Sequence, residues 1–284
     1  METITSVKNE RVKAAAKLVS SAKARREQGL FVLEGLRLCM DVVRSGLRCA
    51  ELFVSEEFCA KHGAEYEALA ACSDEVFLVN DAVLEKLSDT RTPQGVCCVV
   101  RMAAPVSLLE RAPVSGAPAS ETDLSATKLL LLENVQDPAN LGAIARTAEA
   151  LGISGLLVSG GCDVYAPKAL RASMGALLRL PVEVVDAGVV VLSGEGKTPV
   201  PPLLKKAEAL GFKTYASTPA ADAVPVTEAD FSGPVLCVVG NEANGVTPET
   251  MAACAERVTI PMAGRAESLN AAAAGAILMW EMVR

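Results

Sequence analysis

Apolar runs of strand length, set between helices, place the tightest limit on how this chain can fold. KLLLLENV, GLLVSG and VLCVVG are apolar at nearly every position, so strands built from them need cover on both faces. A strand with one wet face would alternate apolar and polar residues instead. Helical stretches fall between these runs, from about Asn140 to Leu151, near Leu203 to Leu210 and after Pro248. The expectation is an α/β fold with a largely parallel sheet, whose ligands would sit beyond the strand C-terminal ends.

The same alternation occupies the first part of the chain with more polar strands. VKNERVKAAAKLVSSAKARREQG reads as one helix ending at Gly29, FVLEG as a strand, LRLCMDVVRSG as a helix closed by Gly46, and AELFVS as a strand. A helix around Phe58 to Ala70, the strand EVFLVN, the helix DAVLEKLSD with Asp81 as N-cap, and the strand GVCCVVRM complete a compact α/β domain over residues 1–101. Residues 102–127, rich in Pro, Ala and Ser, read as a linker. Residues 128–284 form the second domain, with further strands PVEVV, KTYAST and RVTIP and a helix PKALRASMGALL.

With 284 residues, 51% of them hydrophobic, there is ample core for two domains. The longest apolar runs stay far below the roughly 18 residues of a membrane span. The N-terminus lacks the apolar centre of a secretory signal, which points to the cytoplasm. Nine scattered cysteines without a CxxC pair read as free thiols. His62 is the only histidine, in the polar stretch AKHGAEYE, which argues against a serine–histidine hydrolase and a multi-histidine zinc site.

The net charge of −7 argues against indiscriminate coating of nucleic acid. Its distribution is uneven, since residues 1–26 carry seven basic side chains against Glu2 and Glu10. That helix could meet a polyanion or simply be a solvated face. Two phosphate-loop look-alikes fail. In SGEGKTP the P-loop glycine position is Val191, and both the P-loop helix and the third dinucleotide-fingerprint glycine meet Pro199.

Three stretches at strand ends of the second domain hold more polar chemistry than turns require. In ENVQDPANLGAIARTAEALG a strand ends at Asn134 and a helix starts near Asn140, with Gly142 and Arg146 on one side of it. In VLCVVGNEANGVTPE, Gly240 and Gly245 bracket Asn241, Glu242 and Asn244 before a helix start at Thr247-Pro248-Glu249. In RVTIPMAGRAESLN a strand from Arg257 to Ile260 breaks at Pro261, and Ser268 would cap the last helix.

Together these stretches resemble the three motifs of the SpoU-type RNA ribose methyltransferases of the SPOUT superfamily. N-x-x-D-P-x-N-x-G-x-x-x-R is present as Asn134, Asp137, Pro138, Asn140, Gly142 and Arg146; the glycine–x–glutamate motif is Gly240 with Glu242; I-P-M-x-G-x-x-E-S-L-N runs from Ile260 to Asn270. RASMGALLRLPV resembles the family's intervening segment. The family often has a second glycine after the glutamate, where this chain has Ala243. The first domain, through FVLEG, Arg37 and the TPQGV turn, resembles more weakly a ribosomal-protein-like substrate-binding domain that accompanies this fold in ribosomal-RNA methyltransferases.

The resemblance implies a deep trefoil knot, S-adenosylmethionine as cofactor, no metal, and methyl transfer to a ribose 2′-hydroxyl of structured RNA, foremost 23S-type ribosomal RNA. Transfer RNA as substrate and a non-catalytic RNA-binding assembly factor are the alternatives. A 2′-hydroxyl selects RNA over DNA. Carried over by position, Thr218, Gly240, Ile260, Met262 and Leu269 would hold the cofactor, and Asn134, Arg146, Glu242, Ser268 and Asn270 would serve catalysis. Arg146 suits a phosphate clamp better than a base, because a guanidinium stays protonated. Lys8, Arg11, Arg25, Arg26 and Arg37 are candidate RNA contacts. The family works as a homodimer through the knotted domain; Glu267 receives no role.

Overall fold

The computed structural model describes residues 2–90, 92–104, 107–110, 124, 126–185 and 200–284. The chain forms two compact units, one of Met1–Ala104 with Asp163–Arg179, the other of Pro105–Cys162 with Leu180–Arg284.

The first unit contains β1 (Glu2–Ile4), α1 (Glu10–Ser20), α2 (Ala22–Gln28), β2 (Leu30–Glu34), α3 (Leu36–Arg44), β3 (Cys49–Val54), α4 (Glu56–Lys61), α5 (Gly63–Ala71), β4 (Ser73–Val79), α6 (Asp81–Leu87) and β5 (Val96–Arg101). Its sheet runs β1-β4-β3-β5-β2. β1, β4 and β3 are parallel, whereas β5 runs antiparallel to both β3 and β2. One face packs Val32, Phe53, Phe77, Cys97 and Val99 against the apolar stripe Val12, Ala15 and Leu18 of α1.

The chain continues through β6 (Lys128–Glu133), α7 (Pro138–Leu151), β7 (Gly155–Ser159), α8 (Pro167–Ala172), α9 (Ala176–Arg179), β8 (Val182–Val184), α10 (Val200–Ala209), β9 (Lys213–Ser217), β10 (Val224–Pro225), β11 (Val235–Val239), α11 (Pro248–Ala253), β12 (Glu256–Thr259) and α12 (Ala271–Val283). The second unit's sheet has the order β10-β12-β9-β11-β6-β7-β8, and every pairing in it is parallel. Leu129, Leu130, Leu131 and Leu132 of β6 are all buried, as are all five residues of β11. Each such side chain contributes about 2 kcal/mol by leaving water. That double-sided burial is why these strands read as unbroken apolar runs.

Order along the sheet places β6 and β11 side by side although about a hundred residues separate them in sequence. From β6 the chain moves outward to β7 and β8, and then returns on the other flank. This is a topological switch point, where two loops leave neighbouring strand ends in different directions and open a crevice.

Several boundaries differ from those expected. The basic segment is two helices, because Ser21 leaves the helical region (φ −128°, ψ 110°) and its hydroxyl accepts from the Ala24 N–H at 3.2 Å to cap α2. The helix expected around Phe58 to Ala70 is divided at His62, which closes α4. The N-cap of α6 is Asn80, whose side chain accepts from the Val83 N–H at 3.1 Å, so Asp81 takes the first helical position. PKALRASMGALL breaks after Ala172, with Met174 and Gly175 at φ +53° and +86°. α7 starts at Pro138 with Asp137 as its cap, and β12 lies one residue earlier than read.

The last helix begins at Ala271 rather than on Ser268: Asn270 Oδ1 accepts from the N–H groups of Ala272 and Ala273 at 2.9 and 3.3 Å and is the cap. Within the stretch read as linker, Leu108 and Leu109 are buried with Leu129, Leu131 and Leu157. SGEGKTP and residues 111–123 lie outside the described residues. β1 and β10, of three and two residues, are too short to carry a sequence signal.

Candidate active site

Glu242 sits in the loop after β11, and its carboxylate reaches across to the start of α7. Oε2 accepts from the Gln136 N–H at 3.1 Å, and Oε1 accepts from the Asp137 N–H at 3.1 Å and from Asn140 Nδ2 at 2.9 Å. Partial burial pushes the carboxyl upward, but the donors from Asn140 and the two backbone N–H groups outweigh it and leave Glu242 below its ordinary value. It is therefore an anion at neutral pH that organises a helix start.

Asn140 turns this contact into a chain. Its Oδ1 accepts from Asn270 Nδ2 at 3.0 Å, so Glu242, Asn140 and Asn270 are joined in series. Each belongs to a different one of the three polar stretches. Asn270 is held in turn by capping α12, which packs on α7 with Gly275 against Ile144. Asn140, read in the sequence as a motif residue near the helix start with no role of its own, is thus the joint between the three stretches. Its signal was the spacing N-x-x-D-P-x-N itself.

The backbone allows these loops to approach closely. Asn241 and Gly245 exchange N–H to carbonyl bonds at 3.0 and 2.9 Å, folding the loop back on itself. At Gly240 an added Cβ would stand 2.1 Å from the Gly245 carbonyl carbon, so only glycine fits. Asn241 also donates from Nδ2 to the Asn134 carbonyl at 2.8 Å, tying the loop to the end of β6.

Asn134 has φ +55°, an uncommon conformation that Asn tolerates. Its side chain lies against Gly160, where an added Cβ would come within 2.2 Å of Asn134 Oδ1. The Asn134 side chain therefore stays outside the Glu242–Asn140–Asn270 chain, and its carbonyl makes the link. Arg146, exposed on α7, has no hydrogen bond or ion pair to a described residue. Ser268 is exposed two residues before the Asn270 cap.

Of the residues expected to hold a cofactor, Thr218 stands at the end of β9, its N–H donating to the Val258 carbonyl at 2.9 Å. Gly240 ends β11, and Ile260 and Met262 are half-buried after β12. Leu269 is 38% exposed. All five follow C-terminal ends of adjacent strands β12, β9 and β11. Gly264 lies exposed in the loop, with no described atom within 4 Å of an added Cβ. Glycine-bearing loops beyond the ends of adjacent strands offer backbone N–H and carbonyl groups to a planar ligand, so the residues present suit the expected cofactor.

The candidate RNA contacts separate into two kinds. Arg25 is buried: its guanidinium donates to Asp163 Oδ2 at 2.7 Å and to the Leu18 and Val19 carbonyls at 2.6 and 3.1 Å. Arg11 donates to Glu51 at 2.8 Å and to Glu75, and lies 4.9 Å over the Phe77 ring. Both are occupied within the first unit. Lys8, Arg26 and Arg37 are exposed. Arg37 follows Gly35 (φ +91°), where the TPQGV turn interlocks with β2: Glu34 accepts from the Gln94 N–H at 3.2 Å, and Gln94 Oε1 accepts from the Leu36 N–H at 3.1 Å.

A parallel sheet with three polar loops meeting at its switch point defines a class of α/β enzyme that binds its ligand beyond the strand ends. The chain belongs to the SpoU rRNA methylase family, which matches residues 128–280. Residues 9–98 match the MRM3-like substrate binding domain. The 23S rRNA (guanosine(2553)-2′-O)-methyltransferase RlmP of Bacillus subtilis is 28% identical over 99% of this chain and 99% of its own. The 23S rRNA (uridine(2479)-2′-O)-methyltransferase of Streptomyces viridochromogenes is 31% identical over 98% of this chain and 90% of its own. The AdoMet-bound rRNA methyltransferase of Sinorhizobium meliloti superposes with a TM-score of 0.79 at 27% identity, over 99% and 97% of the two chains.

Proposed function

We propose that the protein transfers a methyl group from S-adenosylmethionine to a ribose 2′-hydroxyl of ribosomal RNA. The observation that carries this reading is the hydrogen-bonded series Glu242–Asn140–Asn270, which draws the three polar stretches together at the start of α7, the helix that carries the exposed Arg146. Full-length relatives named for 23S rRNA 2′-O-methylation support the substrate class.

S-adenosylmethionine, when bound, supplies a methyl already activated by its sulfonium charge. The protein's share is alignment and help in removing the hydroxyl proton. The backbone at Gly240, Ile260 and Leu269, with Thr218 and Met262 nearby, holds the cofactor. Arg146 clamps the phosphate beside the target ribose and lowers the cost of negative charge on its oxygen. Ser268 and Asn270 orient the hydroxyl, while Glu242 and Asn134 fix the loops around it. The geometry shifts one role: Asn140 joins this set, and Asn134 contributes through its carbonyl.

Residues 1–101 form the RNA-binding domain, 102–127 the connection, and 128–284 the knotted methyltransferase domain. Lys8, Arg26 and Arg37 remain free to meet phosphate. The protein acts in the cytoplasm; among the described residues no helix is long and apolar enough to cross a membrane. It works as a homodimer through the second domain. Ile277, Trp280 (54% exposed) and Val283 recur every three residues on α12, an apolar stripe that a second copy would cover. Trp280→Glu should convert a dimer to a monomer in analytical ultracentrifugation; a wild-type monomer at micromolar concentration would end that assignment.

The test of function is incubation with labelled S-adenosylmethionine and ribosomal RNA lacking the modification, followed by mapping of the label. Label on a ribose 2′-oxygen is expected. Absence of transfer together with absence of cofactor binding by calorimetry would overturn the reading.

A further inference from the structure

Glu133 is the last residue of β6 and is fully buried. Its carboxylate accepts three hydrogen bonds, all from one short segment. Oε2 accepts from the Thr247 N–H at 2.8 Å, and Oε1 accepts from Thr247 Oγ1 at 2.9 Å and Thr250 Oγ1 at 2.5 Å. No cation accompanies it among the described residues. A charge so placed is costly unless its donors are fixed.

The donors lie where the Glu242 loop rejoins regular structure. Thr247 caps α11 directly after the loop, accepting from the Thr250 N–H at 3.3 Å. Asn134, the residue directly after β6, holds the other end of that loop through the Asn241 contact. Two consecutive residues, the last of β6 and the one after it, therefore grip both ends of the segment from Gly240 to Thr247, and Glu242 projects from between the grips. We propose that Glu133 is a positioning residue for methyl transfer: its carboxylate sets the far end of the loop and, through it, the place of the Glu242 carboxylate on α7. The inference rests on the reading of Glu242, Asn140 and Asn270 as the transfer site.

Loss of this grip should show at the two amides that Glu242 holds. In Glu133→Ala, single-residue hydrogen exchange at the Gln136 and Asp137 N–H groups should quicken by about tenfold or more. The kcat should fall about 10- to 100-fold well below the melting temperature, with KM for RNA little changed. Glu133→Gln should stay close to wild type, because the threonine hydroxyls can turn to accept from the amide. The comparison variant is Lys128→Met, at the opposite end of the same strand, where Nζ donates to the Phe231 and Gly233 carbonyls. It should lower the melting temperature without moving those amides or kcat.

Exchange at Gln136 and Asp137 no faster in Glu133→Ala than in Lys128→Met overturns the proposal. If Glu133→Ala does not fold, Thr250→Val, which removes one of the three donors, takes its place under the same criterion. Full kcat in Glu242→Ala would instead remove the reading of the transfer site, while the exchange result would still decide for or against the role of Glu133.

Discussion

The basic helices α1 and α2 and the loops at the end of β6 and β11 are both polar, yet they use polarity in opposite ways. In the helices, charge is plentiful and much of it is spent internally. Arg25 is sealed against Asp163 and two carbonyls, and Arg11 is held by Glu51 and Glu75. Around Glu242, by contrast, the side chains of Glu242, Asn140, Asn241 and Asn270 each meet a group from a distant stretch, and Arg146 on α7 is exposed. A count of charges thus leads to arginines held within the first unit, whereas the meeting of separated motifs leads to the loops around Glu242.

Replacing one arginine of each kind tests this contrast. Arg25→Met takes a buried guanidinium away from the largely buried Asp163 carboxylate and from two backbone carbonyls, and should cost about 3 kcal/mol in urea unfolding. RNA affinity measured on the folded fraction should barely change. Arg146→Ala should do the reverse, lowering kcat about 100- to 1,000-fold, or about 3–4 kcal/mol in the barrier. Its stability should stay within about 0.5 kcal/mol and cofactor binding close to wild type. Activity that survives this change would remove Arg146 from the site.

A smaller effect is expected at Asn270. Asn270→Ala removes the α12 cap and should cost about 1 kcal/mol of stability, along with the bond to Asn140. Smaller again, Arg26→Ala should leave stability unchanged and reduce the salt dependence of RNA binding by roughly one phosphate contact. The least is expected from titrating Glu242. Its carboxyl is lowered in the folded protein, so its contribution is present above the unfolded value of about 4.3 and is lost as pH falls through the folded one. The stability difference between wild type and Glu242→Gln should therefore narrow below about pH 4. A difference that widened there would reverse the assigned sign.

The alternation of strands and helices was legible because double-sided burial leaves unbroken apolar runs, as in Leu129–Leu132. The three motif stretches were legible because their spacing is specific. Helix boundaries were less so, since adjacent polar residues compete for one cap: Asn80 displaced Asp81, and Asn270 displaced Ser268. Those outcomes depend on where the backbone leaves the extended region. Side-chain direction was not legible at all. Asn134 and Asn140 look equivalent as letters, but one turns to Gly160 while the other joins Glu242 to Asn270. The burial of Arg25 depends on Asp163, 138 residues away.

β11, the strand that leads into the Glu242 loop, fills the slot between β9 and β6. During synthesis, β6 is complete about a hundred residues before its neighbour emerges. Until then its Leu-rich edge has unpaired backbone groups, ready to pair with the wrong strand. Insertion of β11 between β9 and β6 is also the event that delivers Glu242 to α7. A chain in which β11 has not yet paired therefore has the polar stretch around Asn140 but not its carboxylate partner, so the site is complete only when this long-range pairing is made.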